Sequence, residues 1–360
     1  MITRIYVDNF RTLVNFEHRP GKLALLLGEN GAGKTSVLDV VWGLRRLLIE
    51  EASVAEVFPS SSRTRWGSPR PDQVFEIDVL RDEEQYRYRL VVHHQPRKPP
   101  SIVEEVFKHF DHPIAESRGG KLRFDKGGGE QVTMPARAGR SALPLVIEAS
   151  DDGPAREFGD FLYQTWMIAP DPRAMSGNAE KEASFLARDC SNFAAWLRQA
   201  LVTSPEAVSA ARAALHEVIG LKSLQVPKGT TRLMAGFDLP DMKEGLDFEE
   251  LSDGQRQLIV LYVLRHAVCE TASLVAFDEP DNYVALREIQ PWLGEVVDLA
   301  QSSEGPQIWF VSHHPELLNQ LAPSDGTRFL REGVVTRVEP FHGVAGLVPA
   351  EVVARGWDGV

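Results

Sequence analysis

Two cysteines in 360 residues, Cys190 and Cys269, are too few and too scattered for a disulfide framework or a zinc site. That scarcity fits a reducing cytosol. No run of about 18 apolar residues occurs, so nothing reads as a membrane span. The opening Met1-Ile2-Thr3-Arg4-Ile5-Tyr6-Val7-Asp8 alternates like a strand and lacks the apolar core of a signal peptide. No heptad is sustained over several repeats, which excludes a long coiled coil. Internal repeats and long low-complexity tracts are also missing. Basic charge is in deficit: 39 Lys and Arg stand against 51 Asp and Glu, a formal net charge of −12. This argues against a surface that coats DNA uniformly. It leaves a local basic groove open, because binding depends on where the charge sits.

What is present reads as an α/β protein. The length suits one large domain or two to three smaller units, and 43% hydrophobic content is ordinary for a globular chain. Leu23-Ala24-Leu25-Leu26-Leu27 is wholly apolar, the pattern of a central strand covered on both faces. A helix is expected from Lys34, with Val37, Leu38, Val41, Trp42 and Leu48 on one face. Residues 59–72, rich in Ser, Pro and Arg, read as a loop. Residues 74–79 and 86–91 alternate with period two and predict an antiparallel sheet with one solvated face; residues 102–110 and 122–124 should add strands. Lys126-Gly127-Gly128-Gly129-Glu130 reads as a mobile turn. Helical patterns dominate from about 158 to 220, with Phe193, Trp196, Leu197 and Leu201 as an apolar stripe whose plain reading is core packing. After Leu251 buried strands and helices alternate again, with strands at residues 274–277 and 308–311.

Four motifs carry chemistry, in a fixed order. Gly28-Glu29-Asn30-Gly31-Ala32-Gly33-Lys34-Thr35 follows the apolar strand and precedes a helix, which is the setting a phosphate cradle requires. Asn30, Gly31, Ala32, Gly33, Lys34, Thr35 and Ser36 are its nucleotide-binding candidates. Backbone N–H groups and the helix start would surround phosphate oxygens, Lys34 would reach the β- and γ-phosphates, and Thr35 would place its hydroxyl on Mg²⁺. Asp278 and Glu279 end a buried strand. Asp278 is the second candidate for Mg²⁺, and Glu279 would orient or deprotonate the attacking water. Taken alone, the pair would be two solvated carboxylates at a strand end. Ser252-Asp253-Gly254-Gln255 is a capping box that starts an apolar helix. The same helix start, with Ser252, Gly254 and Gln255, would receive a γ-phosphate presented by another subunit. His313 follows the last apolar strand and would sense the γ-phosphate, whereas His314 should point elsewhere. The basic pairs Arg45-Arg46 and Arg87/Arg89 read most simply as solvated faces of a helix and a strand.

These motifs resemble an ABC-type ATPase of the RecF, SMC and OLD-like group. Residues 28–35 correspond to Walker A, 251–255 to the signature, 276–279 to Walker B, Asp281 and Asn282 to the D-loop, and His313 to the switch histidine. Val7-Asp8-Asn9-Phe10-Arg11 resembles the Asn-Phe-Arg opening of the group, whose arginine approaches the phosphates, so Arg11 is a further candidate. Asp278-Glu279-Pro280-Asp281-Asn282 and Ser312-His313-His314-Pro315-Glu316 are similar to compact prokaryotic AAA-type ATPases of the OLD-like branch, many of which serve phage defence or DNA maintenance. The resemblance covers roughly residues 1–50 and 245–335. Two departures stand out: Asp253 where glycine is usual, and a Q-loop position filled by either Gln164 or Asp171. No acidic cluster of the nuclease kind follows His313, so a nuclease in this chain is not expected.

The resemblance implies an ATPase head with a mixed sheet carrying the P-loop, an antiparallel β side sheet and an inserted helical lobe. The expected boundaries are 1–157, 158–245 and 246–360. The expected activity is ATP hydrolysis by a cytoplasmic switch that uses ATP and Mg²⁺. It would dimerise around two nucleotides, with higher assemblies allowed, and drive a separate effector such as a nuclease or toxin; DNA is left open as a partner and no membrane is expected. The alternatives are a nucleotide-binding subunit of an ABC transporter and an ATP-sensing scaffold that barely hydrolyses.

Overall fold

A computed structural model of the chain describes residues 1–66, 70–126, 130–150, 152–240 and 245–356. The glycine-rich turn read at residues 127–129 lies outside the described residues. The chain divides into two compact units, one built from Met1–Thr165 with Ser324–Gly343, the other from Trp166–Pro323 with Val344–Gly356.

The first unit holds β1 (Ile2–Asp8), β2 (Phe16–His18), β3 (Leu23–Leu27), α1 (Lys34–Ile49), α2 (Val54–Val57), β4 (Asp72–Arg81), β5 (Glu84–His93), β6 (Ser101–His109), β7 (His112–Arg118), β8 (Lys121–Asp125), β9 (Gln131–Pro135), α3 (Leu143–Ala149) and α4 (Pro154–Tyr163). Then come β10 (Thr165–Ile168), α5 (Phe193–Thr203), α6 (Pro205–Ile219), β11 (Leu221–Gln225), β12 (Met234–Phe237), β13 (Leu246–Asp247), α7 (Asp253–Ala267), β14 (Leu274–Asp278), α8 (Leu286–Gln301), β15 (Gln307–Val311) and α9 (Pro315–Asp325). The hairpin β16 (Gly326–Glu332) and β17 (Val335–Pro340) rejoins the first unit, and α10 (Pro349–Ala354) the second.

Period-two alternation produces the antiparallel sheet of the first unit, ordered β2-β1-β4-β5-β6-β7-β8-β9. One face buries Phe75, Ile77, Val79, Tyr86, Tyr88 and Leu90, each worth roughly 2 kcal/mol of burial. Register puts opposite charges side by side on the other face: Glu76 pairs with Arg89 and Asp78 with Arg87 across β4 and β5. Arg87 reaches Asp78 at 2.8 Å, Arg89 reaches Glu104 at 3.0 Å and also Glu76, and Arg4 reaches Glu76 at 2.9 Å. The charge of Arg87 and Arg89 is therefore spent within the sheet. Arg45 departs from the solvated-face expectation. It is buried, 2.5 Å from Glu50 and 5.3 Å over the Trp42 ring. Arg46 joins the same Glu50 carboxylate at 3.3 Å.

The apolar run of β3 is buried at every position. It pairs in parallel with β16, Gly326 opposite Leu25, and β16 turns back antiparallel into β17. In the second unit β14 and β15 run parallel, with Asp278 opposite Val311. Helix α7 buries Leu258 through Leu264 without a polar face, the signature of a central helix. The expected helical stretch 158–220 is interrupted. Helix α4 stops at Tyr163, β10 follows, and residues 169–192 run without helix or strand until α5. Pro170, Pro172 and Gly177 account for the break, since proline and glycine disfavour a helix interior. A three-stranded antiparallel sheet, β11-β12-β13, is the second element that periodicity did not reveal.

Candidate functional site

The loop between β3 and α1 is shaped by three glycines with positive φ: Gly28 at 131°, Gly31 at 79° and Gly33 at 107°. Two of these positions admit no side chain. A Cβ on Gly28 would collide with the backbone oxygen of Phe329 in β16, and one on Gly33 would come within 2.5 Å of Thr336 Oγ1 in β17. The β16–β17 hairpin thus fixes the loop from behind. The Thr336 hydroxyl donates to Ala32 O at 2.8 Å, and the Thr336 N–H donates to Thr12 O at 2.9 Å.

Helix α1 begins at this loop with no acidic residue in its first turn and no side-chain cap. Its start is therefore a positive helix end suited to an anion. Lys34 is buried, its ammonium donating to Gly28 O at 2.5 Å and Glu29 O at 3.2 Å. Asn30, Gly31 and Thr35 are exposed, whereas Ala32, Gly33 and Ser36 are buried. Arg11 adopts φ 48°, pairs with Asp39 of α1 and lies 5.1 Å over the Phe10 ring.

The second unit brings the other motifs together. Asp278 ends β14 with its carboxylate 3.0 Å from Arg188 Nη2; the two side chains are 9% and 17% exposed. Glu279 then turns the chain at φ 53°, its N–H donating to Val311 O at 2.7 Å. This positive φ ends the alternation of β14 at Glu279. Asn282 Nδ2 holds Glu279 Oε2 at 2.7 Å, and the Ser312 hydroxyl donates to Asp281 Oδ1 at 2.7 Å. His313 is exposed, whereas His314 is buried and accepts the Glu316 N–H on Nδ1 at 3.2 Å.

Ser252 caps α7. Its Oγ accepts the Gln255 N–H at 3.2 Å, and Gln255 Oε1 accepts the Ser252 N–H at 3.1 Å. The capping box is formed, and Ser252 remains exposed at the helix start. Gly254 packs against the 280–283 turn so closely that a Cβ would lie 2.8 Å from Tyr283 O. One turn on, the buried Gln257 donates Nε2 to Pro280 O at 3.0 Å. Asp253 is held by Arg256 Nη2 at 2.7 Å and Arg173 Nε at 3.3 Å. Of the two Q-loop candidates, Gln164 caps the C-terminus of α4, and Asp171 follows β10 and accepts the Arg173 N–H at 3.0 Å.

Sequence reading missed Arg188, Arg173 and Gln257. Nothing marked the two arginines, which lie about ninety and eighty residues from their partners. Gln257 did carry a signal, an amide directly before a run of seven apolar residues. Each unit offers hard oxygen donors suited to Mg²⁺, the Thr35 hydroxyl in the first and the Asp278 carboxylate in the second. Chemically, the first unit can cradle phosphate and the second can hold a cation and orient water.

The structure is similar to the crystal structure of the SmcHead bound to the C-winged helix domain of ScpA, at 15% identity and a TM-score of 0.55, covering 94% of this chain and 97% of that one. It is also similar to the SMC head domain from Thermotoga maritima, at 11% identity and a TM-score of 0.50, covering 95% and 99%. At such identities the likeness is one of fold, that of an SMC head. No curated protein matches the chain. The family model described as "AAA domain, putative AbiEii toxin, Type IV TA system" matches residues 23–125 and 187–319, well over half of the sequence, and the chain belongs to that family of AAA-type ATPases.

Proposed function

We propose that this chain is an ATP-hydrolysing molecular switch. The observation that carries the reading is the phosphate loop: a glycine-built turn fixed by the hairpin, opening a helix with no acid in its first turn, with a lysine ammonium lodged on the loop's own carbonyls. Phosphate oxygens would take over that ammonium from Gly28 O and Glu29 O, a stronger contact because both partners are then charged. Bound Mg²⁺ would supply charge neutralisation for the departing phosphate, with Thr35 and Asp278 as its protein donors. Glu279, set by Asn282, orients water for attack. His313, exposed beyond β15, contacts the γ-phosphate, while the buried His314 does not.

In this reading two chains sandwich two nucleotides. Each γ-phosphate meets Lys34 from one chain and the capped α7 start, with Ser252, Gly254 and Gln255, from the other. Dimerisation then depends on ATP, and hydrolysis releases it. The output is a separate effector or a DNA transaction, in defence or repair. Arg11 stays a weaker phosphate candidate, since Asp39 already holds its charge. The SmcHead similarity, a head bound to a winged-helix domain, supports a protein partner in general terms. The free, buried thiols of Cys190 and Cys269 suit a reducing cytosol.

Steady-state ATP hydrolysis, paired with nucleotide binding, tests the assignment. The wild type should hydrolyse ATP. Glu279→Gln should bind it and turn over at least about a hundredfold more slowly, and Lys34→Ala should lose binding. Equal turnover by wild type and Glu279→Gln would remove Glu279 from its role. The scaffold reading rests on one observation, the acidic Asp253 at the helix start that should meet phosphate. It wins if ATP binds and drives assembly while both proteins are inactive.

A further inference from the structure

The segment between β10 and α5 touches two motifs at once. At one end Arg188 holds the Asp278 carboxylate. Behind it the backbone is clipped to the start of the same segment. Ala169 N–H donates to Arg188 O at 2.8 Å, Asp171 N–H to Asp189 O at 3.0 Å, and Ser176 N–H to Ser191 O at 3.0 Å. At the other end Arg173 holds the Asp253 carboxylate, and its guanidinium lies 5.2 Å over the Tyr283 ring. Asp253 is the first residue of α7, and Tyr283 O is the atom that Gly254 packs against. One short piece of irregular chain therefore bridges the end of β14 and the start of the signature helix.

Electrostatics gives each arginine a task. Asp253 adds negative charge where an anion should bind, and Arg173 with Arg256 cancels it. Arg188 supplies the Asp278 carboxylate with a positive partner in a half-buried setting, and a divalent cation arriving at the same carboxylate meets like charge. The cation and Arg188 compete for Asp278. The three backbone clips couple whichever wins to the position of Arg173.

We propose that residues 169–191 form a positioning strut that couples cation binding at Asp278 to the phosphate-receiving start of α7 in the same chain. Arg188 is the internal counter-ion at one end, and Arg173 is the charge-compensating residue at the other. The inference rests on the nucleotide assignment above. It adds a coupling between two ends of the second unit that the motifs alone do not contain.

The test is a set of variants in a Glu279→Gln background, read by light scattering against ATP and Mg²⁺ and by binding of a fluorescent ATP analogue. Arg188→Ala should lower the half-saturating Mg²⁺ for nucleotide binding about fivefold, and Arg173→Ala should raise the ATP needed for association about tenfold. Arg173→Ala with Asp253→Gly should recover association, because no charge remains to compensate; a merely structural role for Arg173 would not be rescued in this way. Arg188→Ala with Arg173→Ala should depart from the product of the single effects. Without nucleotide, Arg188→Ala should speed amide exchange at Asp171 and Ser176. A parent protein that binds and associates, with a multiplicative double variant and no rescue by Asp253→Gly, would overturn the strut alone. A parent that binds no ATP would overturn the nucleotide assignment and the strut with it. Unchanged exchange in Arg188→Ala would overturn the claim that the Arg188 side chain sets the clipped segment.

Discussion

The two units solve their parts of the problem by different means. The phosphate loop of the first is a backbone device: glycines take conformations other residues resist, and the β16–β17 hairpin braces them. The acidic and signature elements of the second are a side-chain device. There Asn282 sets Glu279, Gln257 sets the Pro280 turn, and Arg188 and Arg173 set two aspartates. A backbone device tolerates no added atom. A side-chain device can be adjusted one contact at a time, which suits the nucleotide response proposed for this region.

This contrast ranks the expected effects. Gly28→Ala should be the most damaging, because a Cβ meets Phe329 O at a φ of 131°. Strain and collision together should cost about 4 kcal/mol or more and abolish nucleotide binding, read by urea unfolding and ATP titration. If the loop absorbs the methyl with less than about 1 kcal/mol lost, the backbone side of the comparison breaks.

Acid should loosen the same brace. His18 is buried, edge-on to Phe329 at 5.7 Å, and burial lowers its pKa from 6.5 to about 4. Its folded value lies below its unfolded value, so this contribution is complete above pH 6.5 and is lost as the pH falls through 4. The loss should approach about 3 kcal/mol. His18→Leu should flatten stability against pH over that window.

In the second unit single contacts should matter less. Gln257→Met leaves Pro280 O without its donor and should cost about 1–2 kcal/mol, while slowing hydrolysis more than it weakens ATP binding. The reverse pattern would place Gln257 in nucleotide binding rather than in setting the acidic turn. Smallest of all, Arg89→Ala removes a surface ion pair to Glu104 and Glu76 and should change stability by less than about 1 kcal/mol. It should leave any DNA affinity unchanged, which a filter-binding titration would check.

The same contrast explains what the sequence disclosed. A backbone device is written locally, so Gly28 through Thr35, the apolar β3 and the capping box of Ser252 and Gln255 were all legible. So was the antiparallel sheet, whose inner face repeats every second residue. Side-chain devices depend on partners brought together only by folding, so Arg188 on Asp278 and Arg173 on Asp253 were not legible. Arg45 misled for a related reason. A guanidinium over Trp42 has its carboxylate partner at Glu50 although it is buried, yet its position in the sequence looks like any basic pair. The hairpin β16–β17 was hidden as well, because nothing local says that residues 326–340 return to the unit that holds the loop. The helical expectation over 158–220 failed at Pro170, Pro172 and Gly177, where breakers outweighed the flanking periodicity. The sequence boundaries fell at 157/158 and 245/246, whereas the compact units divide after Thr165, after Pro323 and after Gly343.

The most direct measurement is the solution mass of Glu279→Gln with and without ATP and Mg²⁺, by light scattering, beside the same protein carrying Ser252→Arg with its folding checked by circular dichroism. We expect a doubling of mass on adding ATP and Mg²⁺ that Ser252→Arg abolishes while nucleotide still binds. A mass unchanged by ATP despite confirmed binding, or a doubling indifferent to Ser252→Arg, would contradict the proposal that the two chains close on each other's nucleotides.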